Sequence, residues 1–396
     1  MSRAVETKDV AVVGAGVAGL AAALGCAQAG LEVALVGAWP PPFRARAAAP
    51  FDERIYALSP ASIELLDRLK VWPQVDAARV QPVARMRVFG DTGAQLDFDA
   101  YGAAVERLAT IVEESELARV LAAACAYAGG LQRFESPFVT LARTPQAARV
   151  TLADGTALHA KLVIGADGAN SAVRAAAGIS AREHPYGQTA VVANFVAGRA
   201  HDAAAYQWFT DEGVVALLPL PDCDGRPAVS LVWSAPTDLA QQLLAAEPAA
   251  LAERVTARTA AQLGALTPLS AARGFALRRL AAAHLVAPRV ALVGDAAHVV
   301  HPLAGQGLNL GLGDVSELLR VVGEREAFRD IGDTVLLRRY ERVRAEPIGL
   351  MRFTTDALAK LFGLDDPFAR RVRNTGLELV NRLTPLKRAL IRQALG

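Results

Sequence analysis

Cysteine is scarce: the 396 residues hold only Cys26, Cys125 and Cys223, and none sits in a Cys-x-x-Cys pair. Such spacing leaves no support for a disulfide framework or a thiolate zinc site and suits a reducing cytoplasm. Net charge is also small. At +2 the chain offers nucleic acid no global attraction, although the stretch from Arg338 onward carries thirteen basic against six acidic side chains and suits an anionic surface. No G-x-S-x-G elbow, no Walker sequence and no second G-x-G-x-x-G is present, so neither that nucleophile, that phosphate loop nor a dedicated nicotinamide domain is indicated. Repeats are lacking, and the only compositional bias is alanine. One long uncharged run exists, Val10 to Ala27, but Gly14, Gly16, Gly19 and Gly25 interrupt it, and it is rich in Ala and Val. A buried strand followed by a buried helix explains it better than an export signal or a membrane span.

What the chain does have is apolar residues, 53% of the total, enough for a large core. The length suits two or three domains, or one α/β body with an inserted layer. Asp9 to Val13 reads as a buried strand, Leu20 to Ala29 as a helix ended by Gly30, and Leu31 to Val36 as the next strand. Ser59-Pro60 opens a second helix, with Ser as the N-cap and Pro at the first helical position, and Glu113 to Ala128 forms a third. Val150 to Leu152 and Leu158 to Ile164 flank an Asp-Gly turn as a hairpin. Alternating, aromatic-rich segments from Thr189 to Trp233 predict a second, largely antiparallel sheet. Leu239 to Leu263 reads as one helix, Val290 to Val293 as a buried strand, and the chain after Asn309 as helices broken at Pro347, Pro367 and Pro385.

Three motifs carry chemistry. In Gly14-Ala15-Gly16-Val17-Ala18-Gly19, between strand and helix, the first glycine allows the tight turn. The second lets backbone approach a pyrophosphate, and the third lets helix and strand pack closely, with the helix N-terminus facing the phosphates. The acid that usually ends the second strand and accepts the adenosine ribose is replaced by Gly37, with Asp52 or Glu53 as substitutes from the next loop. The second motif runs from Leu162 through Gly165-Ala166-Asp167-Gly168 to Arg174. The third is Gly294-Asp295-Ala296-Ala297-His298 followed by His301-Pro302-Leu303-Ala304-Gly305-Gln306-Gly307-Leu308-Asn309. There a helix start offers N–H groups to an electron-rich ring edge, as a reduced flavin requires. The His298-x-x-His301 spacing suggests a metal less than it suggests a turn. Either histidine serves as a base toward a phenol or simply fixes the turn.

Together these motifs resemble the class A flavoprotein monooxygenases, whose familiar member is para-hydroxybenzoate hydroxylase. Asp52-Glu53-Arg54 with Ala57-Leu58-Ser59, Phe209 to Leu220, His301 to Asp314, and the tail from Arg339-Tyr340-Glu341-Arg342 to Leu386-Lys387-Arg388 are similar to the ubiquinone-biosynthesis hydroxylases. The resemblance implies an α/β fold: a Rossmann-like FAD-binding domain (residues 1–75, 111–182 and 276–335), an antiparallel substrate-binding sheet (76–110 and 183–275) and a C-terminal helical region (336–396). It implies FAD held at Gly14, Gly16, Gly19, Arg54, Asp167 and Asp295, with Pro302 beside the flavin and Gly305, Gln306, Gly307, Leu308 and Asn309 along its pyrimidine edge. His298 joins Pro302 as a catalytic candidate. NADPH or NADH would dock transiently, O2 would form a flavin C4a-hydroperoxide, and oxygen would pass to the ring of a prenylated phenol. Trp208, Phe209, Leu218, Trp233 and Phe275 are candidates for the apolar pocket. The implied location is the cytoplasm, peripheral on the inner membrane and near other quinone-biosynthesis proteins. Glu114, where relatives place Asn, Gln or Arg, and Val214, where they place Pro, depart from the pattern. A reductase or oxidase on the same fold, and a non-catalytic member of a quinone-biosynthesis assembly, remain the alternatives.

Overall fold

A computed structural model describes residues 6–40, 51–90, 94–301 and 306–363. Its helices are α1 (Val17–Gln28), α2 (Pro60–Arg68), α3 (Glu114–Tyr127), α4 (Ala172–Ala176), α5 (Thr237–Ala245), α6 (Pro248–Arg258), α7 (Gln306–Gly323) and α8 (Thr334–Gly363).

The uncharged run at the start of the chain becomes the centre of an eight-stranded sheet. Strand Glu6–Val13 pairs in parallel with Val33–Val36 on one side and Ala157–Gly165 on the other. Leu131–Phe134 and Val290–Leu292 extend the parallel ladder outward. Parallel strands are covered on both faces, hence their unbroken apolar sequences. Val10 to Val12 and Val33 to Val36 are almost wholly buried. Helix α1 lies on this sheet, buried from Leu20 to Ala27. A helix that is apolar all round belongs inside, and this burial accounts for the uncharged run. No helix among the described residues is long and apolar enough to cross a membrane.

The second sheet has nine strands, among them Ala181–Ala197, Ala204–Thr210, Gly213–Cys223, Arg226–Pro236 and Arg273–Ala282. It is antiparallel apart from one pair, Ala204–Thr210 beside Arg85–Phe89. Period-two alternation splits its residues between two faces. Val191, Val215, Leu217, Leu231 and Trp233 pack under α5 and α6 against Leu243, Leu251 and Val255. Ala190, Val192, Ala205, Ala216, Leu218 and Val232 point the other way, into a cavity. A three-stranded sheet of Ile55–Leu58, Ala109–Glu113 and Val80–Val83 closes one side.

Three local readings need revision. The single helix expected over Leu239 to Leu263 is two, because Pro248, lacking an N–H, starts a new one at its first turn. Pro347 does not end a helix but lies within α8; Pro367 and Pro385 lie outside the described residues. The expected boundaries at 182/183 and 275/276 fall inside strands Ala181–Ala197 and Arg273–Ala282, which run on in the second sheet. The Ser59 cap is seen as read, its side chain accepting from the Ser62 amide ahead of Pro60.

Candidate functional site: a groove joining two unlike cavities

The turn after Val13 is shaped by what its glycines exclude. Gly14 has φ +113°, and a Cβ there would come within 2.2 Å of the Ala166 carbonyl oxygen. One on Gly19 would lie 1.9 Å from the oxygen of Gly14. These two positions lock α1 onto the strand ends. Gly16 differs: a Cβ there meets nothing within 4 Å, because this residue faces open space. As the N-cap of α1 it offers no capping side chain, and the first turn holds no acid. The amides at this end are therefore available to an anion.

Two cavities open from Gly16, of about 650 and about 960 Å³. Both are bordered by Gly16, Val17, Glu53, Arg54, Glu114 and Phe275, so they form one groove. The larger is the more polar of the two and reaches Ala38, Asp52, Ser115, Glu116 and Arg119. Arg54 stands at the junction, its guanidinium 4.8 Å from the Phe275 ring centre and Nη1 3.2 Å from Glu114 Oε2. The loop carrying it is pinned twice. Asp52 Oδ2 accepts from the Ser115 amide, and Asn194 Nδ2 donates to the carbonyls of Phe51 and Asp52. Asp52 and Glu53, the suggested ribose acceptors, both border this cavity, with Glu53 held by Arg273 at 3.2 Å. Gly37 is more than a missing acid: its φ is +148°, and a Cβ would sit 3.1 Å from the Ala15 nitrogen.

The smaller cavity runs from the groove to the free face of the second sheet. At its entrance Asp295 opens onto the groove. Burial among the surrounding walls pushes its carboxyl above the usual range, opposed by His298, Arg54 and Arg278. Burial likewise raises the Tyr56 phenol, which stays protonated. Gly307 and Leu308, on the first turn of α7, border the same space. Beyond them the lining is almost all apolar: Val83, Met86, Phe98, Ile111, Val192 and Leu218 are typical.

The other residues singled out from the sequence stand elsewhere. Asp167 spends its carboxylate within its own turn, accepting from the Ser171 hydroxyl and the Val173 amide, so Ala166 and Gly168 rather than Asp167 border the cavity. Asn309 is sewn to α2: Oδ1 accepts from the Ser59 amide and Ser62 hydroxyl, and Nδ2 donates to Ala57. His298 is not in the lining either. Its Nε2 lies 2.6 Å from Asp314 Oδ2, while Asp314 Oδ1 accepts from Arg344 Nε at 2.7 Å. Asp314 Oδ2 also accepts from the Gly294 amide at 3.0 Å, so the cluster fixes the turn that bears Asp295. Burial alone would raise the Asp314 carboxyl, but His298 and Arg344 hold it below the usual range. His301 bonds Gln188 at 3.0 Å and meets the Tyr186 ring edge-on. Pro302 and Gly305 lie outside the described residues, and Gln306 is the first residue of α7.

Of the aromatic and aliphatic pocket candidates, Leu218 and Phe275 line the cavity, and three do not. Trp208 and Trp233 belong to the face under α5 and α6, Trp208 stacked between Phe89 and Tyr206. Phe209 shares the cavity face but is packed into a side cluster with Val88 and Leu96. Gln207, which the sequence reading passed over, faces the cavity instead. Its alternation with Trp208 was visible; which face the helices cover was not.

These residues fit FAD. An open glycine at a helix N-terminus and a cation beside it suit a pyrophosphate, and a groove continuing past Asp295 into an apolar chamber suits a ribityl chain and a ring. The sequence matches the family model of an FAD binding domain over residues 7–349. It is 36% identical over 394 residues to the 3-demethoxyubiquinol 3-hydroxylase of Escherichia coli, covering 99% of each chain. It is 35% identical over 394 residues to the ubiquinone hydroxylase UbiL of Rhodospirillum rubrum, covering 99% of this chain and 90% of that one. Among solved structures, the p-nitrophenol 4-monooxygenase PnpA of Pseudomonas putida shares the fold, with a TM-score of 0.78 at 20% identity and 99% of each chain covered. This chain belongs to the FAD binding domain family and, within it, to the FAD-dependent monooxygenases that hydroxylate aromatic rings.

Proposed function

We propose that the protein hydroxylates the aromatic ring of a prenylated phenol in ubiquinone biosynthesis, with O2 as oxidant and NADPH or NADH as electron donor. The observation that carries this reading is the apolar chamber opening directly from the dinucleotide groove, in a chain that aligns end to end with a demethoxyubiquinol hydroxylase. When bound and reduced by NAD(P)H, FAD would activate O2, one atom of which would go to the ring and the other to water.

The chain's own share is placement and exclusion. Gly16 and the first amides of α1 receive the pyrophosphate, with Arg54 at its side. Asp295, kept on its turn by the Asp314 cluster, accepts from ribityl hydroxyls. Gly307 and Leu308 bring the start of α7 against the ring, in the stretch that also contains Pro302, Gly305, Gln306 and Asn309. The wall of Val, Leu, Met and Phe keeps water from the reacting centre, where it would divert reduced oxygen to H2O2. Peripheral contact with the cytoplasmic face of the inner membrane would deliver so apolar a substrate. Its support is the basic excess after Arg338.

The test is incubation with a prenylated phenol, reductant and ¹⁸O2. The expected product carries one labelled oxygen on the ring. NAD(P)H consumption yielding only H2O2 with every prenylated phenol tried would overturn the reading, and an unlabelled reduced product would make the protein a reductase.

A further inference from the structure

On the sheet side of the chamber, strands Arg85–Phe89, Gln95–Asp99, Ala181–Ala197, Gly213–Cys223 and Arg226–Pro236 contribute only Ala, Val, Leu, Met and Phe to the lining. Strand Ala204–Thr210 breaks the pattern with Gln207. Its neighbour Tyr206 also borders the space, but the Tyr206 ring stacks on Trp208 in the cluster under α5 and α6. Gln207 is 6% exposed. Its side-chain amide has no hydrogen-bond partner among the described residues. Gln207 borders the chamber, so its amide offers a donor and an acceptor to whatever fills that space. Cross-strand neighbours leave this one room, since Ala216 stands opposite it in the ladder. Of the other polar groups on the chamber, Tyr56 lies beside Arg54, Arg278 bonds Glu183 and Asn170, and Asp295 stands at the entrance toward the groove. None of the described histidines borders the space.

Resting on the reading of the substrate as a phenol, we propose that Gln207 is the specificity-determining anchor of its ring oxygen. The amide N–H donates to that oxygen and the amide carbonyl accepts from a hydroxyl, so one side chain serves both halves of a phenol or its oxygenated neighbour. It also stabilises negative charge on the ring oxygen without titrating itself, in a chamber that holds no histidine to act as base. A site built around such a group rejects ligands that leave it unpaired.

The experiment uses FAD-loaded protein and compares binding of ortho-prenylphenol with prenylbenzene, which lacks the hydroxyl, through the change each causes in the flavin absorption spectrum. The wild type is expected to prefer the phenol by about tenfold, the effect of one hydrogen bond. Gln207→Met, of similar shape and without polar hydrogens, is expected to lose the preference while keeping its FAD. If that variant fails to retain FAD, Gln207→Asn takes its place, with the preference expected to shrink. A variant that retains the full preference overturns the anchor and leaves the phenol reading standing. A wild type that binds both ligands equally overturns the anchor, and one that binds neither removes the phenol reading as well.

Discussion

The two ends of the groove are built on opposite rules. The polar end is made of loops and helix starts, and its charges are held by partners: Arg54 by Glu114, Arg119 by Glu116, Arg273 by Glu53. What it presents is backbone, above all at Gly16. The chemical end is made of strands, and it presents side chains chosen for being apolar. The first end suits one fixed charged group, a pyrophosphate, and its geometry is fixed by glycines and pinned loops. The second recognises a shape, so its residues are ordinary core residues that happen to face a void. Recognition by backbone tolerates little change, whereas recognition by side chains can be retuned one residue at a time.

The largest break in this comparison should come from Gly16→Val. Its Cβ meets no protein atom, so the fold should persist by circular dichroism while FAD is crowded out, with a loss of about a hundredfold or more in affinity. Gly19→Val should instead prevent folding, because its Cβ would collide with the Gly14 carbonyl. An FAD-loaded Gly16→Val protein would contradict the role given to this turn.

Next comes Asp314→Asn, which leaves His298 and Arg344 buried around an uncharged amide. Breaking a buried ion cluster costs about 3 kcal/mol, measurable by urea unfolding of the apoprotein at neutral pH. The folded carboxyl is held below its usual range. Its contribution is therefore complete above the unfolded carboxylate value of about 4 and is lost as pH falls through the lower folded value. Wild type and variant should differ most at neutral pH and converge in strong acid.

Gly37→Glu sharpens the comparison at the ribose end. Restoring the usual acid would strengthen FAD binding if composition alone decided. Because the backbone there has φ +148° and a Cβ presses on Ala15, the expected result is a less stable protein, by about 1 kcal/mol or more, with no gain in FAD affinity. Titration of apoprotein with FAD decides it.

The smallest effect is expected from Asp295→Asn. A carboxyl whose folded value is raised contributes stability below its unfolded value and loses it as pH rises. The amide removes that loss, so the apoprotein should gain a few tenths of a kcal/mol at pH 7 and nothing at pH 4, the carboxyl being open to solvent. FAD should nevertheless bind more weakly. Stability gained together with cofactor lost would mark Asp295 as kept for binding.

The fold was readable because periodicity and glycine spacing are local. The strand–turn–helix at Gly14 to Gly19 and the Ser59 cap needed no knowledge of distant residues. The side chains of the site were harder, because their partners are not local. Asn309 is 250 residues from Ser59, and nothing in the sequence shows that its amide is already occupied. His298 and Asp167 were opaque for the same reason, each having a hydrogen-bond partner inside the fold that the sequence does not show. Trp208 and Trp233 stood out by size, yet size does not tell which sheet face α5 and α6 cover. Gln207 was in plain view as an alternating polar residue and gained meaning only when its face proved to be the open one.

Arg344 belongs to α8, the helix that leads toward the basic end of the chain, whereas Asp314 is on α7 and His298 follows the Asp295 turn. Three segments thus share one buried charge balance, and α8 cannot leave its place without taking Arg344 from the Asp314 carboxylate. Thermodynamic reciprocity then applies. To the extent that the Asp295 turn holds a cofactor, anything that steadies α8 would favour that binding, and bound cofactor would steady α8 by the same factor.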